Sequence, residues 1–418
     1  MTKTLAYEVN KRTTCRICGG SELALYLDLG DQPTSNGFIS PSDVTGEQSF
    51  PLQVYLCKDC GLSQLIHVVS ASDIFDDYAY LSSTSTALRN HYQGMVDSVL
   101  SQHETDENEL VIDIGCNDGI LLNRYPKDRY RLLGIEPSSA GKYAKDSGLE
   151  VITEFFDENL GKVIQQSHGG AKIITATNVF AHVDNIHSFA FGIKELLAED
   201  GVFVLEFPYL DDMLEHGYFD TIYHEHLCYL ALTPLMHLFQ QTGLRAFNAE
   251  RTDVGASGPA LRLFVCLENA RFKSEKVIQN LLDEETTWGV KHLERYKKFA
   301  ATANNVKQQI LKLIGELNKT GHKIGAFGAP AKGNTLLNFL GLSPSDIIAV
   351  AENNELKIGK LTPGSHIPII GDEKFMGSGI SHALLLSWNY AEFFLKNSKF
   401  VLNGGKFIIP LPDLCIRP

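Results

Sequence analysis

Tyrosine, carboxylate and imidazole groups crowd into one short stretch, Tyr223-His224-Glu225-His226, set within Phe219-Asp-Thr-Ile-Tyr-His-Glu-His-Leu-Cys-Tyr229. A metal site there needs both imidazoles on one side, and positions i and i+2 share a face on a strand but not on a helix. The sequence offers no obvious third ligand, and the spacing is not the His-Glu-x-x-His of a metallopeptidase helix. Acid–base chemistry asks for less: a base that titrates near working pH, which imidazole is, and donors aimed at developing negative charge. Two more polar groups point the same way, Thr177-Asn178-Val-Phe-Ala-His182 and Glu206-Phe-Pro-Tyr209, each following an apolar run that reads as a strand. Open α/β folds gather their ligands at the carboxyl ends of strands, so three such segments predict one site.

The elements that must position these residues alternate short apolar strands with helices from Glu109 onward, which implies a parallel sheet with helices on both faces. Leu110-Val-Ile-Asp-Ile114 runs into the turn Gly115-Cys-Asn-Asp-Gly119, with a helix expected from Ile120. The next strand, Tyr130 to Ile135, ends at Glu136, 17 residues past Gly119, where a carboxylate can take both hydroxyls of a ribose. The turn reads G-x-x-x-G with Asp118 inside it, not the G-x-G-x-x-G that admits a pyrophosphate, and this favours S-adenosylmethionine over a dinucleotide. Two strand-like runs, Leu244–Asn248 and Leu261–Cys266, predict an antiparallel hairpin at the end of the sheet, as methyltransferase sheets finish. With a methyl donor in place, a carbon next to a ketone becomes a feasible acceptor. A histidine removes its proton, a tyrosine or second histidine stabilises the enolate oxygen, and the carbanion attacks the sulfonium methyl.

Four of the eight cysteines are spaced as knuckles, Cys15-x-x-Cys18 and Cys57-x-x-Cys60, with 38 residues between them. Each knuckle supplies half of a tetrahedron, so the pattern predicts a structural zinc ion that leaves no open coordination position. Cys116, Cys228, Cys266 and Cys415 read as buried apolar side chains. A turn-rich segment, Asp31-Gln-Pro-Thr-Ser-Asn-Gly-Phe38, lies between the knuckles. After them, Phe75–Ser85 is dense in hydroxyls and reads either as a surface loop or as a lid over a polar ligand.

Beyond a charged helical stretch with a buried stripe (Leu293, Tyr296, Phe299, Ala303, Val306, Ile310, Leu313, Leu317), a second α/β unit begins at Lys323. Its turn, Gly328-Ala-Pro-Ala-Lys-Gly-Asn334, lacks the Gly-Lys-Ser/Thr ending of an ATP-hydrolysing P-loop. Lys332 there reads equally as a partner for a diphosphate and as a solvated lysine. At 418 residues the chain is long enough for two to four domains. Its net charge of −13 and lack of a basic tract argue against nucleic acid, and no apolar run suits a membrane or a secretion signal, so a cytoplasmic protein is expected.

Taken together, the two cysteine knuckles, Asp77-Tyr78-Ala-Tyr-Leu-Ser-Ser83, Asp113–Gly119, Asn178–His182, Tyr223–His226 and Gly325-Ala-Phe-Gly-Ala-Pro-Ala-Lys-Gly333 resemble the S-adenosylmethionine-dependent sugar C-methyltransferases of deoxysugar biosynthesis. Members of that family act at C-3 of nucleotide-linked 4-keto-6-deoxyhexoses. The resemblance implies a monomer with a zinc-binding domain (1–75), a class I methyltransferase domain (76–270), a helical connector (271–320) and a Rossmann-like C-terminal domain (321–418). It implies Tyr78, His182, Tyr223, Glu225 and His226 as the active-site set, with His226 as the base. Asp113, Gly115, Asn117, Asp118, Gly119, Glu136 and Asn178 are the expected cofactor residues. Tyr80, Ser83, Lys332 and Asn334 are expected to meet a sugar carried on dTDP, GDP or UDP. The residues by themselves leave three other readings open: sugar O-methylation, an NAD-dependent sugar-nucleotide oxidoreductase, and a zinc-ribbon scaffold without catalysis.

Overall fold

Runs of aliphatic and β-branched residues closed by glycine or asparagine turns build two largely parallel sheets, a four-stranded antiparallel sheet and a two-stranded antiparallel pair, Val9–Lys11 with His67–Val69. A computed structural model describes residues 9–71, 74, 81–84, 86–252 and 258–418. The central sheet has seven strands in the order Leu244–Thr252, Ala260–Leu267, Leu197–Pro208, Ala171–Thr177, Leu110–Ile114, Arg131–Ile135, Glu150–Ile152. Neighbours are parallel except Ala260–Leu267, which runs antiparallel to both its partners and forms the expected terminal hairpin. Every residue of Leu110–Ile114 is buried, as a strand covered on both faces requires, and this is why its sequence is apolar except for Asp113, which is satisfied by Thr175.

One expectation fails beside this strand. No α-helix opens at Ile120; the chain makes turns and a single 3-10 turn, Leu122–Arg124. Pro126 explains the difference, because a proline excludes the residue before it from helical geometry, and Tyr125 is accordingly extended at ψ 142°. Ile120, Leu121 and Leu122 are buried instead as part of a core beneath the sheet.

The N-terminal sheet is antiparallel, with strands Leu23–Gln32, Phe50–Cys57 and Ser63–Leu65, and its fourth strand is Cys228–Tyr229. That strand follows His226 directly: Cys228 pairs with Gln64 and Tyr229 with Ser63. The 27-residue helix Leu293–Lys319 buries Tyr296, Phe299, Ala303, Val306 and Ile310, and it packs on strand Leu23–Gln32, where the Tyr26 ring lies 4.9 Å from Tyr296 and 6.5 Å from Phe299. Each such side chain contributes about 1.5–3 kcal/mol by leaving water, so this stripe ties the N-terminal sheet to the rest of the molecule. The C-terminal sheet orders its six strands Ile369–Gly371, Val350–Glu352, Ile324–Phe327, His382–Leu385, Lys406–Ile409, Cys415–Arg417, with only the last antiparallel to its neighbour.

Candidate active site

A cleft of about 1800 Å³ lies between the central and C-terminal sheets, with the N-terminal turn along one edge. On the central side it begins where Ile114 and Ile135 end adjacent strands. Gly115 has φ +72°, and a Cβ there would lie 2.2 Å from Val179 Cγ2, so only glycine lets this strand end meet the loop after Thr177. Glu136 is buried, and its carboxylate accepts from the backbone N–H groups of Asn117 (2.8 Å) and Ser138 (2.9 Å). The carboxylate is thereby fixed, while each oxygen keeps capacity for a ribose hydroxyl. Asn117 and Asn178 line the cleft in left-handed conformations, φ 50° and 56°, an arrangement that asparagine tolerates and that clusters at ligand sites. The Asn178 Nδ2 is buried and has no partner among the described residues.

Asp113, Asp118 and Gly119 stand behind this surface and do not line the cleft. Asp113 is buried, accepts from Thr175 Oγ1 at 2.6 Å, and is pushed up to about 7 by burial. Asp118 accepts the Ser83 N–H and Asn117 the Ser82 N–H, both at 2.9 Å, which anchors the segment leading into helix Thr86–Gln102. Leu81 and Ser82, not Ser83, reach the cleft. Tyr78 and Tyr80 lie outside the described residues.

Next to the cofactor end, the loop after Thr221 folds back on itself. His226 Nδ1 lies 2.7 Å from the Thr221 carbonyl, and His182 Nδ1 lies 2.6 Å from the Glu225 carbonyl. A carbonyl only accepts, so in each ring Nδ1 carries a proton, and in the neutral His226 ring Nε2 presents a lone pair. The His226 ring sits 4.9 Å from His182 and 4.0 Å from Tyr223, centroid to centroid. Burial, reinforced by His182, lowers the His226 pKa to about 3. Burial also lowers that of His182, partly offset by the Glu225 and Asn178 carbonyls. His224 does not reach the cleft. It is fully buried with its ring edge-on to Phe50 at 5.9 Å, so the imidazoles two residues apart do not form a pair.

Glu225 lines the cleft, and burial raises its carboxyl to about 7. Its Oε1 accepts from Asn36 Nδ2 at 3.1 Å. The C-terminal wall carries Lys332, Lys357, Lys360 and Lys399. Lys332 lies 3.9 Å over the Trp388 ring and donates to Asn389 Oδ1 at 2.6 Å; burial lowers its pKa to about 8 against the opposing pull of Asp220. Asn334 is misplaced in the sequence-based set of substrate residues. It is fully buried two residues further on, where its Nδ2 donates to the Ser35 carbonyl at 2.7 Å and so joins two domains instead of facing a ligand.

Several cleft residues were missed from the sequence, Lys357, Lys360 and Lys399 on the C-terminal wall and, more consequentially, Glu352 and Asn36. Glu352 ends its strand as Glu136 does: its carboxylate accepts from Ala329 N (3.0 Å), Asn353 N (2.8 Å) and Asn354 N (3.0 Å), beside Gly328 at φ +78°. The signal was the same one that singled out Glu136, an acid closing the second strand after a glycine turn. Asn36 carried no signal beyond its turn-rich neighbourhood.

The metal candidate lies apart from the cleft. The four sulfur atoms of Cys15, Cys18, Cys57 and Cys60 all fall within 4.8 Å of one another, with Cys15–Cys60 and Cys18–Cys57 at 3.5 Å. Tetrahedral Zn–S bonds of ~2.3 Å require sulfurs about 3.8 Å apart, so the donor set fits zinc and closes its coordination. Among the described residues this is the one cluster of three or more such ligands.

A seven-stranded sheet whose penultimate strand in sequence lies at its edge and whose last strand inserts antiparallel, with a glycine turn and a buried acid at adjacent strand ends, is that of a class I methyltransferase. A model of the C-methyltransferase C-terminal domain matches residues 255–412, one of a zinc binding domain residues 15–75, and one of a methyltransferase domain residues 89–248. The chain is 33% identical to the C-methyltransferase NovU of Streptomyces niveus over 402 residues, 96% of this chain and 95% of that protein. It therefore belongs to this family of C-methyltransferases, enzymes that use S-adenosylmethionine and carry a zinc-binding N-terminal domain. Among solved structures, a methyltransferase from Anabaena variabilis is similar at 16% identity and a TM-score of 0.34, covering 43% of this chain and 86% of that one. A magnesium protoporphyrin IX methyltransferase from Synechocystis is similar at 12% and 0.32, covering 43% and 80%. No helix among the described residues is long and apolar enough to cross a membrane.

Proposed function

We propose that this enzyme methylates C-3 of a nucleoside-diphosphate-linked 4-keto-6-deoxyhexose by way of an enolate. The observation that carries the reading is the tautomer of His226: with Nδ1–H given to the Thr221 carbonyl, a neutral ring in the cleft wall offers Nε2 as a base. Such a group is needed only if the acceptor must first lose a proton, as a carbon beside a ketone does. Tyr223, whose ring is tilted 33° and 4.0 Å from that of His226, is the donor assigned to the enolate oxygen. His182 is held beside the His226 ring by its Nδ1 contact with the Glu225 carbonyl. S-adenosylmethionine supplies an electrophilic methyl group when bound at the end of the cleft formed by Gly115, Asn117, Glu136 and Asn178. Across the cleft, four lysines and the Glu352 turn supply the cations and the hydroxyl acceptor that a diphosphate and its nucleoside require. The likeness to a protein named as a C-methyltransferase supports carbon over oxygen as the acceptor atom.

Mass spectrometry of incubations with dTDP-, GDP- and UDP-linked 4-keto-6-deoxyhexoses tests the reading. One of them is expected to gain one methylene unit and to keep it under ether-cleaving conditions. A methyl group lost as an ether, or a chain that methylates none of the panel, would refute it.

A further inference from the structure

The N-terminal turn that follows strand Leu23–Gln32 reaches the cleft, and its position is over-determined. Thr34 and Ser35 are buried, Gly37 N donates to the Thr34 carbonyl at 3.0 Å, and Phe38 N to the Asn36 carbonyl at 2.9 Å. The Ser35 carbonyl takes the Asn334 amide, and Ser35 Oγ lies 3.2 Å from Thr335 Oγ1, so the turn is also held on helix Ala331–Leu340 of the C-terminal unit. From this support Asn36 donates to Glu225 Oε1. Glu225 is held toward the same sheet, since Leu65 N donates to the Leu227 carbonyl at 3.0 Å and Cys228–Tyr229 joins that sheet as a strand. The second oxygen, Oε2, is buried with no partner among the described residues, in a side chain only 2% exposed that borders the cleft.

A carboxyl group with one oxygen tied and the other buried and unmatched is set to make one hydrogen bond with a ligand, accepting it as the carboxylate or donating it as the acid. An unmatched buried acceptor is otherwise unfavourable enough that folded proteins rarely keep one. We infer that Asn36, supplied by the zinc-binding domain, is a positioning residue that fixes Glu225 so that Oε2 meets a hydroxyl or amino group of the acceptor sugar. The zinc-built module then does more than brace the fold: through this turn it completes the acceptor end of the site. The inference rests on the placement of the acceptor proposed above.

The test uses the full-length zinc-loaded enzyme, dTDP-4-keto-6-deoxyglucose as acceptor, and three variants: Asn36→Ala, Asn36→Asp and Glu225→Gln. In Asn36→Ala the acceptor KM is expected to rise about tenfold or more with a smaller change in kcat, because a binding contact made throughout the reaction is weakened. Zinc content and the Kd for S-adenosylmethionine should stay at wild-type values. Asn36→Asp sets two carboxyls against each other, so its activity should be lost near about pH 8 and partly recovered near about pH 6, a recovery that Asn36→Ala does not show. A wild-type acceptor KM in Asn36→Ala, with turnover lost in Glu225→Gln, would overturn the inference and leave the acceptor placement standing. Wild-type turnover in Glu225→Gln would instead remove the acceptor placement and the inference with it. Loss of zinc or of cofactor binding in both Asn36 variants would assign Asn36 to folding alone and overturn the inference.

Discussion

Replacing His226 by Asn tests the chemistry at its centre. In the free cleft, burial and the neighbouring His182 lower the His226 pKa to about 3, so the ring is neutral at every working pH but is a weak base. In the proposed reaction, an enolate forming about 4 Å away changes that. At an effective dielectric of about 20, two opposite charges at that distance attract by about 4 kcal/mol, a factor of roughly a thousand in the ring's proton affinity. His226 therefore becomes basic as the negative charge develops, and loses that gain when the charge is quenched by methylation. Removing a positioned base of this kind costs about 10²–10⁴ in rate, or roughly 3–5 kcal/mol of transition-state stabilisation. His226→Asn should thus lose both methyl transfer and exchange of the acceptor C-3 proton for deuterium, followed by NMR in D₂O. Titration calorimetry should show S-adenosylmethionine binding unchanged, because Gly115, Asn117 and Glu136 lie on other strand ends. Deuterium exchange at the wild-type rate in the variant would refute His226 as the base. If exchange were lost in Tyr223→Phe while His226→Asn retained it, the roles assigned to the two neighbouring rings would have to be reversed.

Cys60→Ser should bind no zinc by atomic absorption and should melt well below the wild type, because structural zinc supplies roughly 10–16 kcal/mol to small domains of this kind; a wild-type melting temperature would deny the metal its structural role. Glu136→Ala frees the Asn117 and Ser138 N–H groups and removes the ribose acceptor, so calorimetry should show the Kd for S-adenosylmethionine raised about 10- to 100-fold, as expected for about 1.4–3 kcal/mol lost with a charge-assisted hydrogen bond. Lys332, lowered to about 8 by burial, is a cation below that pH and loses its charge as the pH rises through it. The KM for a diphosphate-linked acceptor should therefore climb above about pH 8 in the wild type, while in Lys332→Ala it should be higher throughout and lack that inflection.

Local signals were the most legible. Within each knuckle the two cysteines are three positions apart, and a knuckle is specified by its own spacing, so the cluster was plain before any fold was known. The same holds for Gly115 and Glu136, where a turn that needs φ +72° and an acid at the next strand end are both short-range features. The missing helix at Ile120 was also written locally, in Pro126, but the apolar run Ile120–Leu122 imitates the start of an amphipathic helix and outweighed it. Contacts between distant segments had no such mark. Asn36 and Glu225 are 189 positions apart, Ser35 and Asn334 are 299 apart, and a two-residue strand such as Cys228–Tyr229 is too short to show any periodicity. The role of Asn334 failed for this reason: a polar residue in a glycine turn looks the same whether it faces a ligand or a neighbouring domain.

The net charge of −13 and the cleft carry different information, and the comparison limits what composition can say about ligands. Averaged over the chain, the acidic excess argues against a polyanion that must lie along an extended surface. A single diphosphate sees only the charges within about a Debye length, ~8–10 Å, and the low-dielectric walls of a cleft strengthen them further. Lys332, Lys357, Lys360 and Lys399 all stand on the C-terminal wall, while the buried acids Glu136 and Glu225 stand on the central one. The C-terminal wall also carries Glu352, Asp372 and Glu373, so its lysines are local cationic points among acids and the wall as a whole is not basic. In the proposed reaction it is therefore the placement of individual groups, Lys332 over Trp388 for a diphosphate and Glu136 toward the methyl donor, that would set the sugar between the two, and not a net field across the cleft.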